Sequence, residues 1–583
     1  MSLVELKING EVVKVEKGTT ILNAAKEINV NIPTLCHHAD LEPWAACGMC
    51  IVKLENSSKT VRACATPVEE GMSIITHDPE LHGVRKTVLE LILSTHPNEC
   101  LTCGRNQHCE LQTIACEFGV REQPYEKRLR DLPIDKSTPS IVLEPEKCIS
   151  CGRCVLVCQG LQNVWALEFL FRGENTRIAP AGDDVLNDSP CIKCGQCSAH
   201  CPVGAIYEKD ETRKLLDAIQ DKNLHVTVQV APSVRVAIGE AFGLEPGTVV
   251  TGKLYAALRR LGIDAVFDTN FGADLTIMEE GTEFVQRLTE GAGVLPQITS
   301  CCPAWTDYME KYYPDMIPNF STAKSPMMMQ GAMTKTYYAE KMGFEARQIY
   351  SAAIMPCTAK KYEITRDENM YSSGVQDVDV VLTTRELARL IKSSGIDFLN
   401  LPDEPADSPI GAYSGAGTIF GNTGGVMEAA LRTAYNLVTG TELKDVEIHQ
   451  VRGLDGIKEG VIDIDGTKVK VAVAHGMANV GAVMDKVRMA AEKGEDPPYH
   501  FIEVMACRGG CIAGGGQPYF TTDEVRQKRM EGIYKDDKMS EVRCSYQNPE
   551  IQILYKDFLG SPMSSKSHKL LHTTYTPRPL HRL

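Results

Sequence analysis

The residues most able to do chemistry in this chain are its cysteines, 22 of them among 583 residues. Most stand in short CxxC steps, and the N-terminus lacks the continuous apolar core of a secretory signal. In a reducing compartment such spacing argues for metal ligands and against a disulfide framework. Two runs, CISCGRCVLVC (Cys148, Cys151, Cys154, Cys158) and CIKCGQCSAHCP (Cys191, Cys194, Cys197, Cys201), repeat the pattern C-x2-C-x2-C-x3-C of 4Fe–4S binding. Upstream, Cys36, Cys47, Cys50 and Cys64 surround Cys-Gly-Met-Cys. Four thiolates suit a 2Fe–2S cluster, though the wide first gap leaves zinc open. Between them lies HPNECLTCGRNQHC, with His96, Cys100, Cys103 and Cys109. His96 shares a face with Cys100 if the helix VRKTVLELILSTH continues that far. His108 is the rival ligand. Cys116 and Cys544 have no partner spacing and read as inert thiols, Cys116 as a buried one.

In two-cluster bacterial ferredoxins, which the repeat resembles, the fourth cysteine of each run serves the other cluster. One cluster then takes Cys148, Cys151, Cys154 and Cys201, and the other Cys191, Cys194, Cys197 and Cys158. Only the second run carries the usual proline, Pro202; Gln159 replaces it in the first. With the two upstream constellations, this makes four clusters in a row, a wire. The other cysteines, Cys301, Cys302, Cys357, Cys507 and Cys511, follow the apolar runs LPQITSCCP, IYSAAIMPCTAKK and HFIEVMACRGGC. Loops beyond the carboxyl ends of strands are where α/β proteins place their sites, so these cysteines are expected to converge.

TSCCPAW (299–305), MPCTAKK (355–361) and EVMACRGGCIAGGGQP (503–518) resemble the three signature motifs of iron-only hydrogenases. APSVR (231–235), FGADLTIMEEGTE (271–283), AKSP (323–326) and SGAGTIFGNTGGVMEAALR (414–432) extend the likeness over nearly the whole chain. Residues 1–80 and the segment with one histidine and three cysteines are similar to the iron–sulfur domains shared with the large iron–sulfur subunit of NADH dehydrogenase. That likeness favours 2Fe–2S over zinc at Cys36 and favours His96 over His108.

The resemblance implies a definite site. Cys302, Cys357, Cys507 and Cys511 hold a 4Fe–4S cubane, and Cys511 bridges to a di-iron unit bearing carbon monoxide, cyanide and an azadithiolate, together the H-cluster. Three further 4Fe–4S clusters and one 2Fe–2S cluster complete the cofactors. Lys360, with Pro232 and Ser233, donates to the cyanides, because buried anions need hydrogen bonds. Met355 and Met505 pack as soft walls. Cys301 is a spare thiol beside a ligand; with a near-neutral pKa it passes protons. The relay continues through Glu280, Ser321 and Glu283 to Arg287 near the exit. Without the family, the two glutamates would read as solvated. Met327, Met328 and Met329 stand where some relatives carry glutamine.

At roughly 150 residues per domain the length suggests about four domains. Those expected are 1–80 (2Fe–2S, ferredoxin-like), 81–125 (4Fe–4S, one histidine and three cysteines), 126–210 (two-cluster ferredoxin-like), 211–525 (large α/β catalytic) and 526–583 (C-terminal, helical, wrapping or partner-docking). The fold class is thus mixed α+β and α/β, with alternating runs such as HVTVQVAP followed by SVRVAIGEAFG. LVELKI and EVVKVE form a hairpin turning at Asn9-Gly10, with a helix from about Thr20. GAGTIFG (415–421) superficially resembles a dinucleotide loop but has the wrong spacing, and reads as close backbone packing. Lys plus Arg is 61 against Asp plus Glu 76, a net charge of −15, which disfavours nucleic acid. No apolar stretch reaches a membrane span, and the chain reads as cytoplasmic. The family implies maturation proteins and an electron partner: ferredoxin, a flavin- and NAD-binding iron–sulfur subunit as in electron-bifurcating hydrogenases, or both. The competing class is an electron-transfer or assembly subunit without hydrogen chemistry, for which the signature motifs and the spare Cys301 have no use.

Overall fold

The computed structural model describes residues 2–55, 57 and 59–581. The hairpin forms as expected, Leu3–Ile8 against Glu11–Glu16, with Asn9 and Gly10 both at positive φ. Such φ values suit the type I′ turn that matches strand twist. Three short strands, Ser73–Ile75, Ile51–Leu54 and Thr60–Arg62, complete a five-stranded sheet. The helix Ile21–Glu27 starts where Thr20 caps it by accepting from the Asn23 N–H. The next helix, Pro79–Ser94, stops two residues before His96, and Cys100 begins a separate 3-10 turn, Cys100–Thr102. His96 and Cys100 therefore do not share a helix face, contrary to the periodicity. A second departure is SVRVAIGEAFG, which turns tightly and ends in a 3-10 segment, Ile238–Phe242.

Two four-stranded sheets form the catalytic region. The first runs Ala265–Asp268, His225–Val230, Ile349–Met355, Val380–Thr383, all parallel. The second runs Gln297–Ile298, Phe501–Met505, Thr467–His475 and, antiparallel at its edge, Ile457–Ile464. Parallel strands need both faces covered, and IYSAAIM, buried except at half-buried Tyr350, and the fully buried FIEVM meet that need. The second sheet shares one core with the two-cluster region: Val155, Ile192, Trp305, Met484 and Val504 pack together. The 22-residue helix Thr269–Glu290 is largely buried. Close backbone packing around GAGTIFG is real: a Cβ on Gly417 would lie 2.5 Å from Asn270 O.

A buried carboxylate ties three regions together. Asp40, just after Cys36, accepts from Arg508 at 2.8 Å and from both nitrogens of Arg526, and His200 Nε2 lies 3.5 Å away. Burial alone would raise its carboxyl, but hydrogen bonds from His200 and Arg526 hold it below the ordinary range. Removing one partner of a buried pair strands the others. Asp40→Ala should cost about 3 kcal/mol, read as a lower thermal midpoint, with proteolysis releasing residues 1–80 first. Unchanged stability and cleavage would show that the arginines find other partners.

Candidate active site and cluster sites

The four expected cubane cysteines line one cavity, together with Cys301, Lys360, Pro232, Ser233, Met355 and Met505. The backbone reaches it from carboxyl ends of both sheets: Ala231 after one strand, Cys357 after Met355, Cys302 after Ile298, and Cys507 after Met505. Cys302 packs with the core shared with the two-cluster region, whereas Cys301 packs with the second sheet's other face. Neighbouring residues thus look in different directions. Gly510, at φ +91°, brings the Cys511 turn against the wall; a Cβ there would sit 2.7 Å from Met505 Sδ. Of the three methionines, only Met327 lines the cavity.

Lys360 Nζ donates to Glu363 at 2.7 Å and to Cys301 O at 3.2 Å. An ammonium has three N–H groups, so one remains for an anion in the cavity. Ser233 Oγ donates to Cys511 O at 3.2 Å. Burial pushes the Cys301 thiol well above its ordinary value, and the nearby Glu280 adds to this. That direction is opposite to the near-neutral thiol expected from the sequence.

Glu280 and Glu283 are both buried on the helix Thr269–Glu290, so they are not solvated glutamates. Ser321 Oγ donates to Glu283 Oε2 at 2.8 Å, and Arg287 donates to Glu283 Oε1 at 2.6 Å. Arg287 is itself buried and also donates to the Asn319 and Phe320 carbonyls. Both Glu280 oxygens are buried without a hydrogen-bond partner. Ser321, bonded to Glu283, also lies near enough to Glu280 to lower its carboxyl, so the expected relay residues stand together with Ser321 beside both glutamates.

The ferredoxin-type constellations also assemble. Cys50 and Cys64 sulfurs lie 3.3 Å apart, the Cys47 N–H donates to Cys36 Sγ, and Cys36 contacts Cys64. The thiols that raise Cys154 are Cys148, Cys151 and Cys201 ahead of Cys197, after burial itself; those that raise Cys194 are Cys197, Cys191 and Cys158. Each run's fourth cysteine thus lies beside the leading cysteines of the other run. His96 Nδ1 is buried and unpartnered, while His108 is exposed and faces Tyr519. Cys116 is exposed on the helix Glu110–Glu117, not buried; Cys544 is buried.

Contacts between constellations fork. A Cβ on Gly152, beside Cys151, would meet the Trp44 ring at 3.0 Å, and one on Gly204 would meet Cys103 Sγ at 2.4 Å. Both upstream groups thus abut the Cys148–Cys201 group rather than standing in a single row. On the other side, Gln196 Nε2 donates to Cys507 Sγ at 3.2 Å, and a Cβ on Gly515 would meet Cys194 O at 2.4 Å. Gln196, Trp44 and Asp40 escaped the sequence reading; only the position of Gln196 inside a cysteine run hinted at a role.

Residues 224–515 match the family described as iron only hydrogenase large subunit, C-terminal domain, and 523–578 match iron hydrogenase small subunit. Residues 2–79 match a 2Fe-2S iron-sulfur cluster binding domain, 85–124 the NADH-ubiquinone oxidoreductase-G iron-sulfur binding region, and 185–207 a 4Fe-4S binding domain. The chain is 46% identical to the NADP-reducing hydrogenase subunit HndD of Solidesulfovibrio fructosivorans, covering 99% of this chain and 100% of that one. It is 40% identical to iron hydrogenase 1 of Clostridium pasteurianum, over 97% and 99%. A solved FeFe-hydrogenase, a HydA1 variant from Chlamydomonas reinhardtii, aligns at 43% identity and TM-score 0.57, covering 64% of this chain and all of that one. The chain belongs to the iron-only hydrogenases. Its H2 chemistry is served by 2Fe–2S and 4Fe–4S domains that relay electrons. Four sulfurs around one cavity, a spare ammonium donor and an unpartnered carboxylate fit an H-cluster. Among the described residues no helix is long and apolar enough to cross a membrane.

Burial, then the charge of Glu283, pushes the Glu280 carboxyl up to about 8. Its folded value lies above the ordinary one, so its contribution to stability is full in acid and fades as pH rises through about 8. Glu280→Gln, uncharged throughout, should flatten that loss in thermal midpoints between about pH 5 and pH 9. Parallel curves for parent and variant would show that Glu280 titrates normally.

Proposed function

We propose that Cys302, Cys357, Cys507 and Cys511 would hold the cubane of an H-cluster, and that Cys511 would also tether its di-iron unit. The observation carrying this is the single cavity fed by strand ends of two sheets, with every candidate on its wall. When bound, the H-cluster would supply the iron at which H2 is split or formed. Lys360 and the Pro232–Ser233 turn would donate to its cyanides, and Met355 and Met505 would line its space. Cys301 holds a proton at its sulfur, and Glu280, Ser321, Glu283 and Arg287 move it toward the surface.

The remaining ligand sets are those expected from the spacing and the family likeness: Cys36, Cys47, Cys50 and Cys64 for one 2Fe–2S cluster, His96 with Cys100, Cys103 and Cys109 for a 4Fe–4S cluster, and the two exchanged sets for two more; the buried, unpartnered His96 Nδ1 supports the second. The domain limits 1–80, 81–125, 126–210, 211–525 and 526–583 go with this assignment. Electrons are exchanged with a flavin- and NAD(P)-binding partner subunit, ferredoxin being a second donor or acceptor. The name of the Solidesulfovibrio relative supports such a partner, and copurification at native stoichiometry tests it. The enzyme is placed in the cytoplasm and depends on maturation proteins.

Cys301→Ser should keep its iron content and lose about 10²-fold or more in turnover, the lower range for a positioned proton donor. Loss of the cubane's spectroscopic signature would instead make Cys301 a ligand. Expressed without maturation proteins, the chain should carry its iron–sulfur clusters but show no H2 turnover and no infrared bands of metal-bound carbonyl or cyanide. Supplying the di-iron precursor should restore both. Full turnover without those bands would refute the proposed site.

A further inference from the structure

The segment carrying Ser321 lies between two others. On one side it follows the strand Gln297–Ile298, with Ser321 N donating to Ile298 O at 2.9 Å. On the other side the C-terminal residues run antiparallel to it through an Ala323–His572 bridge. Lys324 N donates to Leu571 O and Thr573 N to Thr322 O, each at 2.8 Å. The Tyr575 hydroxyl donates to the Ser321 carbonyl itself, also at 2.8 Å.

A buried glutamate anchors this strap. Glu279 accepts from the Tyr555 hydroxyl at 2.5 Å, Met563 N at 2.8 Å, Ser567 Oγ, and His572 Nε2 at 3.1 Å. Burial would raise its carboxyl, but hydrogen bonds from His572, Ser567 and Tyr555 keep it low. As a carboxylate it only accepts, which puts the imidazole proton on Nε2 and leaves Nδ1 facing Thr322 Oγ1 at 2.7 Å. Thr322 N in turn donates to both Glu283 oxygens, at 3.2 and 3.4 Å. From Glu279 to Glu283, one turn apart on one helix, the contacts pass through the strap and back.

We propose that the C-terminal strap, residues 555–575, is the positioning element of the proton relay. His572 and Tyr575 fix the depth of Ser321 and Thr322, and through them the aim of the Glu283 carboxyl. This rests on the relay proposed above. A tail that merely glued the surface would need neither a buried histidine between two relay neighbours nor a hydroxyl on the relay serine's own carbonyl.

The test uses the mature holoenzyme. Asn and Gln reproduce different nitrogens of histidine: Asn the place of Nδ1, Gln that of Nε2. His572→Gln keeps the Glu279 anchor and loses the Thr322 contact, so turnover should fall about tenfold, part of the roughly 10²–10⁴-fold that positioned proton transfer supplies. The solvent isotope effect should rise, the infrared bands should stay, and the Thr322 and Ala323 amides should exchange faster. His572→Asn should recover most of the turnover. Tyr575→Phe, a conservative change, should show the same isotope effect as His572→Gln. Parent-like turnover and isotope effect in the Gln and Phe variants, or equal impairment of Asn and Gln, overturns the strap's role. Ser321→Ala and Glu283→Gln run beside them. If those two are crippled and the strap variants are not, only the strap proposal falls; if those two are fully active, the relay itself falls and takes the strap with it.

Discussion

Everything in the catalytic half answers to one constraint: several negative sulfurs and anions must sit together in a dry interior. Isolated buried charge is prohibitively costly. The fold meets it by bringing the carboxyl ends of two sheets to one cavity. Lys360 and the turn around Ser233 then supply donors, while methionine and proline exclude water. Burial drives the thiols of Cys357, Cys507 and Cys511 upward. The bare site therefore keeps its protons, and loading it must release them. Cluster binding and the closing of this cavity are in that sense one event.

The same economy governs the path inward. Glycines at Gly152, Gly195, Gly204 and Gly515 stand where a Cβ would collide with the next constellation or the loop beside it. Each therefore shortens the step between neighbouring groups of cysteines. The two upstream constellations both reach the Cys148–Cys201 group. Asp40 sits where the three parts meet and ties the first domain to the rest.

Local spacing made the cysteine sets legible, because four ligands to a cluster must lie within a few residues or a fixed loop. What the sequence could not reveal depends on distant packing. Periodicity extended the helix through His96, although the chain turns after Ser94 toward Pro97; the residue before a proline is pushed out of helical conformation. SVRVAIGEAFG has helical alternation, yet the loop must pass the cavity wall and turns instead. Glu280 and Glu283 looked like solvent-facing charges because nothing local reports that a 22-residue helix is buried on nearly every side. Asp40 with Arg526, and Glu279 with His572, lie hundreds of residues apart and carry no motif.

That last helix shows how one element can serve three environments. With 3.6 residues per turn, Glu279 and Glu283 stack along one side while Glu280 lies about 100° round. Glu280 faces Cys301 and Ser321, Glu283 meets Ser321 and Arg287, and Glu279 meets the C-terminal strap. A rigid helix keeps these three carboxyls in fixed relation. Displacing any of the surfaces packed on it must therefore strain the other two. The price of burying three carboxyls is offset by giving two of them full hydrogen-bond sets. The third, Glu280, has its carboxyl pushed up by burial and then by the charge of Glu283, the direction a proton-delivering group requires.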